Sequence, residues 1–439
     1  MRLAPRVWRR LTGSLWFVPG VLVSVMTVLG VSLVEVDARV SPDLGAEWPR
    51  LFGAGAEGAR ALLATVATSM VTIAGVAFSI TLVALAQAST QYTSRVLRNY
   101  MSDRTNQVIL GSFVGIFAYC LVVLRTVRGG DGAEFVPAVA VFGGVGLGFV
   151  GIVLLIYFLH HISSSLQAST ILARLARDTL RVVDRCFPAV PGGAEAPARA
   201  RELPAGDWHP VPARRTGYVQ GVEVAALVRV AREQGIVVRM SAGVGDFVIA
   251  GRPLAAVRGD APPDPGVAGA IARAYAVADH RSTDEDPAWG IQQLVDVALM
   301  ALSPGVNDTT TAITAIDHLS AVLARLAAWP APSPYHHAGP ALRVIVVVPE
   351  YSALVARALG AIREHARGNT AVLRQLARAV ERGGQEAEGP RRAVLGRQAA
   401  RLLDAVQRTV EDPAARRRLG AEIRALRARL AAPPAPHPP

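Results

Sequence analysis

The chain has 439 residues and a formal net charge of +12, and all 46 of its basic residues are arginine. Without lysine there is no Schiff-base chemistry, no pyridoxal-phosphate attachment, no Walker-type phosphate lysine and no biotinyl or lipoyl arm. Hydrophobic residues make up 51% and charged residues 18%, a balance shifted toward membrane proteins, and only two cysteines exclude a disulfide scaffold or a cysteine-rich metal domain.

Four stretches free of Asp, Glu, Lys and Arg come first: 15–34, 61–85, 108–124 and 136–159, of 20, 25, 17 and 24 residues. A helix crossing a hydrocarbon core needs about 20 apolar residues, so each predicts a span. The first follows Arg2, Arg6, Arg9 and Arg10. It is longer than a signal-peptide core and has no small-x-small site behind it, so it reads as an uncleaved anchor, with Pro19 kinking its first turns.

Loop charges orient the bundle. Residues 1–14 carry four Arg and no acid; loop 35–60 is net −2, loop 86–107 net +2, loop 125–135 neutral and segment 160–186 net +2. Basic residues favour the cytoplasmic side. Both termini and loop 86–107 are therefore expected in the cytoplasm of a cell bounded by an inner membrane.

The spans differ in character. The third carries Gly111 and Gly115, the fourth Gly144, Gly148 and Gly151, a spacing that lets helix backbones approach closely. The second carries Thr65, Thr68, Thr72, Gly75 and Ser79, at steps that fall on one helical face. That face reads either as the wall of a permeation path or as a packing seam whose hydroxyls bond to their own carbonyls, the seam being the commoner use. No span holds an ionisable acid or a histidine, which argues against a proton relay.

Loop 86–107 has no Pro or Gly, so the second helix is expected to continue beyond the membrane. Arg95, Arg98, Asn99, Asp103 and Arg104 are candidates for coupling the membrane and cytoplasmic parts; the plainer reading is contact with lipid headgroups.

The fourth span is expected to run on as a helix through Arg185. A Pro-, Gly- and Ala-rich linker from Pro188 to Arg215 follows, so 160–215 reads as extension and linker. Residues 216–265 form a small β-rich module, with a strand at 217–222, a helix at 224–234, a strand at 236–240 and a hairpin over 243–257. The Gly-Asp pattern in that hairpin looks like half of a biotinyl-type barrel, which cannot carry its cofactor without lysine. Residues 266–432 read as mostly helical, with one buried strand at 342–348. The Pro-rich end, 433–439, reads as a disordered tail.

Arg281, Asp286, Asp296, Asn307 and Asp308, with His280 and Asp284 nearby, form a candidate polar cluster. Such groups hold a cation through oxygen or line a phosphate pocket; the plainer alternative is a network of caps and salt bridges. Asn307 or Asp308 is a natural cap for the helix that follows, and Arg281 is the expected partner of Asp296. No residue set is assigned to a metal, and no cofactor is expected. Residues 373–432 hold 14 Arg and 7 acids. With no aromatic residues among them and no nucleic-acid motif, they read as a solvated surface near anionic lipid, not a nucleic-acid site.

The segment around Asp286, Gly290, Leu294, Asp296 and Ala301–Asp308 resembles a bacterial family of predicted membrane proteins, domain of unknown function 2254. So does Gln91–Tyr100 with the Asp103-Arg-x-Asn-Gln107 that follows. The resemblance covers roughly residues 10–420 and implies four spans with a cytoplasmic tail, and no activity. In that family the Asn-Asp pair is usually followed by Pro and an aromatic residue; here Thr309 and Thr310 stand there.

The expected fold is therefore an α-helical membrane bundle of four transmembrane helices followed by a cytoplasmic α+β domain. The expected role is a homo-oligomeric channel or passive transporter in the lipid bilayer, with a regulatory cytoplasmic domain. The alternative is a membrane-anchored sensor or scaffold. An enzyme is disfavoured, since no nucleophile is paired with a base.

Overall fold

The computed structural model describes residues 16–40, 55–91, 103–129, 135–165, 167–186, 206–282, 285–329 and 333–432. The chain divides into two compact units, Met1–Gln167 and Ala168–Pro439.

Among the described residues, the first unit holds four long helices, α1 (Phe17–Val40), α2 (Ala56–Gln91), α3 (Arg104–Thr126) and α4 (Ala138–Ser165). Helix α3 is the hub and packs against the other three, burying Ile109, Phe113, Ile116, Tyr119, Cys120 and Val123. Glycines set the contacts. Gly111 of α3 lies on the backbone of Pro19 and on Leu22 of α1, and Gly115 lies on Met26. On α4, Gly144 receives Leu63 of α2, Gly148 receives Val66 and Gly151 receives Met70. The small-residue spacing of the third and fourth stretches is thus spent on contacts inside one chain.

Polar groups fasten the helix ends. Asp37 of α1 accepts from Val139 N at 3.2 Å and Ala140 N at 2.9 Å, so a carboxylate from one helix caps the N-terminus of another. Tyr119 Oη donates to the Ala140 carbonyl at 2.7 Å. Arg60 of α2 donates to the carbonyl of Val127, the residue after α3, at 2.9 Å. At the other end of α3, Asp103 caps the helix through Thr105 N at 2.9 Å, and its second oxygen lies 3.0 Å from His161 Nε2 of α4.

Among the described residues, five helices are long and apolar enough to cross a membrane: α1 to α4 and a fifth, Thr309–Ala328. The fifth belongs to the second unit.

The second unit opens with α5 (Ala168–Cys186). The expected continuous helix through Arg185 is instead two helices, because α4 ends at Ser165. Helix α5 is strongly amphipathic and buries Leu172, Leu175, Ala176, Thr179, Val182 and Val183 against α8 (Pro287–Ala301) and α9 (Thr309–Ala328). Those packing partners lie over 100 residues away, so local apolar periodicity could not separate α5 from the span before it.

Among the described residues, eight strands form two sheets: β1 (Trp208–Pro212), β2 (Gly217–Val222), β3 (Val237–Met240), β4 (Phe247–Val248), β5 (Pro253–Arg258), β6 (Tyr275–Ala278), β7 (Tyr335–Ala338) and β8 (Ala341–Ile345). One sheet has the order β1-β5-β3-β8-β7 and the other β4-β2-β6. Among the described strands only β3 and β8 pair in parallel, with Val238 opposite Val344. The expected hairpin over 243–257 does not form. Its two strands join different sheets, β4 pairing with β2 and β5 with β1 and β3. Of β8 only Val344 is buried. Helices α6 (Val224–Glu233) and α7 (Pro265–Arg273) cover this core with Leu227, Ala231 and Ile271.

Helices α10 (Tyr351–His365), α11 (Thr370–Glu386), α12 (Gly389–Thr409) and α13 (Pro413–Ala431) complete the unit around α8 and α9. Helix α9 is its centre, with Ile316, Leu319, Val322 and Leu323 fully buried. Asp317 ties it to α11, accepting from Gln375 Nε2 at 2.5 Å and Arg382 Nη1 at 2.6 Å.

A Cβ at Gly111 would fall 2.7 Å from the Pro19 Cα, whereas one at Gly146 meets nothing within 4 Å. Gly111→Ala is therefore expected to lower stability in detergent by about 1–3 kcal/mol, as overpacking against rigid backbone does. Gly146→Ala should be neutral or slightly stabilising, since alanine is the better helix former. Thermal unfolding of the two variants, followed by circular dichroism, checks the contrast.

Candidate functional site

Two groups of residues were candidates in the membrane part. On α2 the packed face is Ala59, Leu63, Ala67, Met70, Ala74, Ala77 and Ala84, all buried. Thr65, Thr68, Thr72, Gly75 and Ser79 are all exposed. They are one or two residues out of phase with the packed face, roughly 100–200° around the helix. The stripe therefore lies on the outside of the four-helix unit and is no seam within one chain. Three of its four hydroxyl protons are used locally: Thr65 Oγ1 donates to Ala61 O at 2.7 Å, Thr72 Oγ1 to Thr68 O at 2.8 Å and Ser79 Oγ to Gly75 O at 3.0 Å. Each oxygen keeps acceptor capacity facing outward.

Of the coupling candidates, Arg95, Arg98 and Asn99 lie outside the described residues. Asp103 is the cap of α3 and the partner of His161, and Arg104 opens that helix. Asp103 and His161 are only 10% and 18% exposed, so the contact is an internal tie between α3 and α4. Sequence reasoning assigned His161 no role; its partner lies 58 residues away and no spacing rule reaches that far.

In the second unit the polar cluster separates into three places along one helix. Asp286, 2% exposed, caps the N-terminus of α8 by accepting from Trp289 N at 3.0 Å. Its other oxygen receives Arg281 Nη2 at 2.5 Å and Nε at 3.1 Å. The Arg281 guanidinium also lies over the Trp289 ring, 4.7 Å from its centre. A buried carboxylate is tolerable only with such a charged partner. Gly245, at φ +91°, presses against both side chains of this pair; a Cβ there would overlap Asp286 and Arg281. The Gly-Val-Gly-Asp turn thus closes over the ion pair.

Asp296 stands midway along α8 and accepts from Gln292 Nε2 at 2.8 Å, while Gln292 Oε1 receives Arg357 Nη1 from α10 at 3.1 Å. The expected Asp296–Arg281 pairing gives way to Arg281–Asp286, since the cap position puts Asp286 beside the guanidinium. Asp308 lies past the far end of α8. Its amide donates to Ala301 O at 2.7 Å, and its carboxylate caps α9, accepting from Thr311 N at 3.0 Å and Thr311 Oγ1 at 2.6 Å. Those two bonds hold its carboxyl below the usual range. Asn307 adopts φ +46° in the turn between the helices, a conformation asparagine tolerates better than most residues. A 15-residue helix is about 22 Å long, so Asp286 and Asp308 cannot share a ligand. Thr309, standing where the family pattern has proline, accepts from Asn369 Nδ2 at 2.8 Å and so ties α9 to the cap of α11.

Among the described residues no three His, Cys, Asp or Glu side chains converge as metal ligands. Burial raises the Cys186 thiol to about 11, so it is protonated at neutral pH and a poor nucleophile.

Separate caps act independently, and that is measurable. Asp286→Ala, leaving Arg281 without its carboxylate, is expected to cost about 3–5 kcal/mol, and Asp308→Ala about 1 kcal/mol. The double variant should be additive to within roughly 0.5 kcal/mol, as for distant sites; urea unfolding of all three gives the coupling. The folded carboxyl of Asp308 lies below its unfolded value, so its contribution is present above the unfolded pKa and fades as pH falls through the folded one. The penalty of Asp308→Ala should accordingly shrink in acid.

The sequence model of a family described as "Predicted membrane protein (DUF2254)" matches residues 12–382. Uncharacterized proteins of Mycobacterium bovis and Mycobacterium tuberculosis are each 34% identical over 427 residues, covering 94% of this chain and 80% of theirs. No solved structure matches. The apolar helices of the first unit and the Asp286–Asp308 segment both lie inside the matched region, and the chain belongs to this family of predicted membrane proteins.

Proposed function

We propose that this is a homo-oligomeric protein of the inner membrane. In this reading α1 to α4 cross the bilayer four times, both termini are cytoplasmic, and the Thr/Gly/Ser face of α2 from each copy lines a passive path. Residues from Ala168 onward form a cytoplasmic regulatory part, and α9 is a core helix of that part, not a fifth span. Loop charge supports the orientation, and the Asp317, Gln375 and Arg382 network on α9 supports leaving that helix out of lipid.

The observation that carries the proposal is the outward exposure of Thr65, Thr68, Thr72, Gly75 and Ser79 on a helix whose other face is packed. Helix α4 turns Phe149, Val153 and Ile156 outward, the side chains expected against lipid tails. The α2 stripe presents small residues with spare oxygen lone pairs instead. Hydroxyl oxygens repeated around an axis offer acceptors, which favours cations over anions. A second reading, a sensor or scaffold without transport, is supported by the hydroxyl hydrogen bonds themselves. Because the protons of Thr65, Thr72 and Ser79 are used within the helix, a dry contact between copies leaves those three donors satisfied.

Two measurements separate these readings. Thr72→Cys is expected to give disulfide-linked dimers on oxidation in native membranes. Potassium flux into liposomes holding the purified protein is expected to fall about tenfold in Thr72→Leu, the scale of losing one favourable polar contact in the path. Cross-linking without flux under voltage or tension would leave the scaffold; absence of cross-linking would remove the shared axis.

A further inference from the structure

Helices α11 and α13 run side by side in the same direction and are joined by two ion pairs. Arg374 of α11 meets Glu422 of α13 at 3.1 Å, and Glu381 of α11 meets Arg429 of α13 at 2.5 Å. On each helix the two bridging residues are seven apart, two turns or about 10.5 Å. A ladder with that spacing has room for one more rung, one turn above the first and one below the second. On α11 that position is Arg378. On α13 the residue facing it by the same count is Leu426, a buried apolar side chain, and no acid stands there.

The missing rung leaves a cleft. A groove of about 630 Å³ opens between the two helices, lined by both ion pairs, by Arg378 and Ala425, and by Arg418 one turn before Glu422. The glutamates are engaged by Arg374 and Arg429. Arg378 has only a long contact with Gln375 Oε1, 3.4 Å, from its own helix. Four guanidiniums and two carboxylates share the groove, so it is two positive charges in excess, contributed by Arg378 and Arg418. The volume lies in the range of small-ligand sites.

From this interrupted ladder we infer a binding site for a phosphate-bearing anion, held by Arg378 and Arg418 on either side of the Arg374–Glu422 pair, with the two ion pairs keeping the groove's width fixed. Guanidinium forks match the geometry of phosphate oxygens and are weakly hydrated enough to exchange water for them. Ala425, next to Leu426 in the groove wall, carries only a methyl group and leaves open space beside Arg378. The phosphate belongs to a soluble compound or to a lipid headgroup; the chemistry recognised is the same. The site rests on the second unit alone and does not depend on whether α2 lines a path.

The test uses the full chain in an uncharged maltoside detergent. Inorganic pyrophosphate is titrated calorimetrically, and retention of phosphatidylglycerol from nanodiscs is read by native mass spectrometry. Binding in one arm is expected to weaken about tenfold or more in Arg378→Gln and in Arg418→Gln. It should survive in Arg401→Gln, an exposed arginine on α12 outside the groove. Both altered arginines are exposed, so unchanged circular dichroism is expected to confirm the fold. Pyrophosphate binding with that pattern supports a soluble phosphate compound, and the pattern in lipid retention alone supports a headgroup. Binding in neither arm, or equal loss in Arg401→Gln, overturns the site.

Discussion

Lipid tails are as apolar as leucine, so a bilayer supplies almost no hydrophobic force to press one helix on another. The first unit answers with close approach. Gly111 and Gly115 admit α1 to α3, and Gly144, Gly148 and Gly151 admit α2 to α4. Each contact brings side chains of one helix onto the backbone of the next, where dispersion is strongest. The polar fastenings then need only act at the ends. Asp37 and Arg60 satisfy terminal amides and a terminal carbonyl of neighbouring helices, groups that no helix can satisfy alone, and Tyr119 adds a second bond to the Ala140 carbonyl. An arrangement locked in this way leaves α2 with one face committed to the bundle and the other free to meet a different environment.

The second unit solves a different problem, joining a small β core to a helical bundle. Asp286 serves both sides. It caps α8 and pairs with Arg281, while the Gly245 turn rests on the pair. Gly290, four residues later, lets α5 approach α8, since a Cβ there would meet Thr179. These close contacts explain why the segment carries charged and small residues without forming a chemical centre. Its acids are helix caps and links at successive positions along α8.

How much of this was legible in the residues follows from how local each signal is. The apolar stretches, the 217–222 strand and the 224–234 helix depend on nearest neighbours along the chain, and they stand where the pattern put them. Strands β1, β6 and β7 were missed. They are short, β1 carries two prolines and β7 two histidines, and their register is set by partners such as Arg258 opposite Trp208. Asp308 was legible as a cap because capping is local. Arg281 was assigned to the wrong acid because several carboxylates lie within its reach and only the backbone geometry of α8 chooses among them. The α2 stripe was legible as a face, but not its direction, because the opposite face is mostly alanine, Ala59, Ala67, Ala74, Ala77 and Ala84, and equally small at those positions.

The order of strands has a consequence for how the molecule is made. In the β1-β5-β3-β8-β7 sheet, β3 and β8 are direct neighbours, yet their paired positions Val238 and Val344 are 106 residues apart in a 439-residue chain. Two long helices, α8 and α9, are synthesised in the interval. At about 5–20 residues per second, the far edge of β3 waits roughly 5–20 seconds for its partner. An open strand edge is a template for wrong pairing. The helical interval therefore acts as a delay built into the gene order, with the β8-facing edge of β3 open until Val344 emerges.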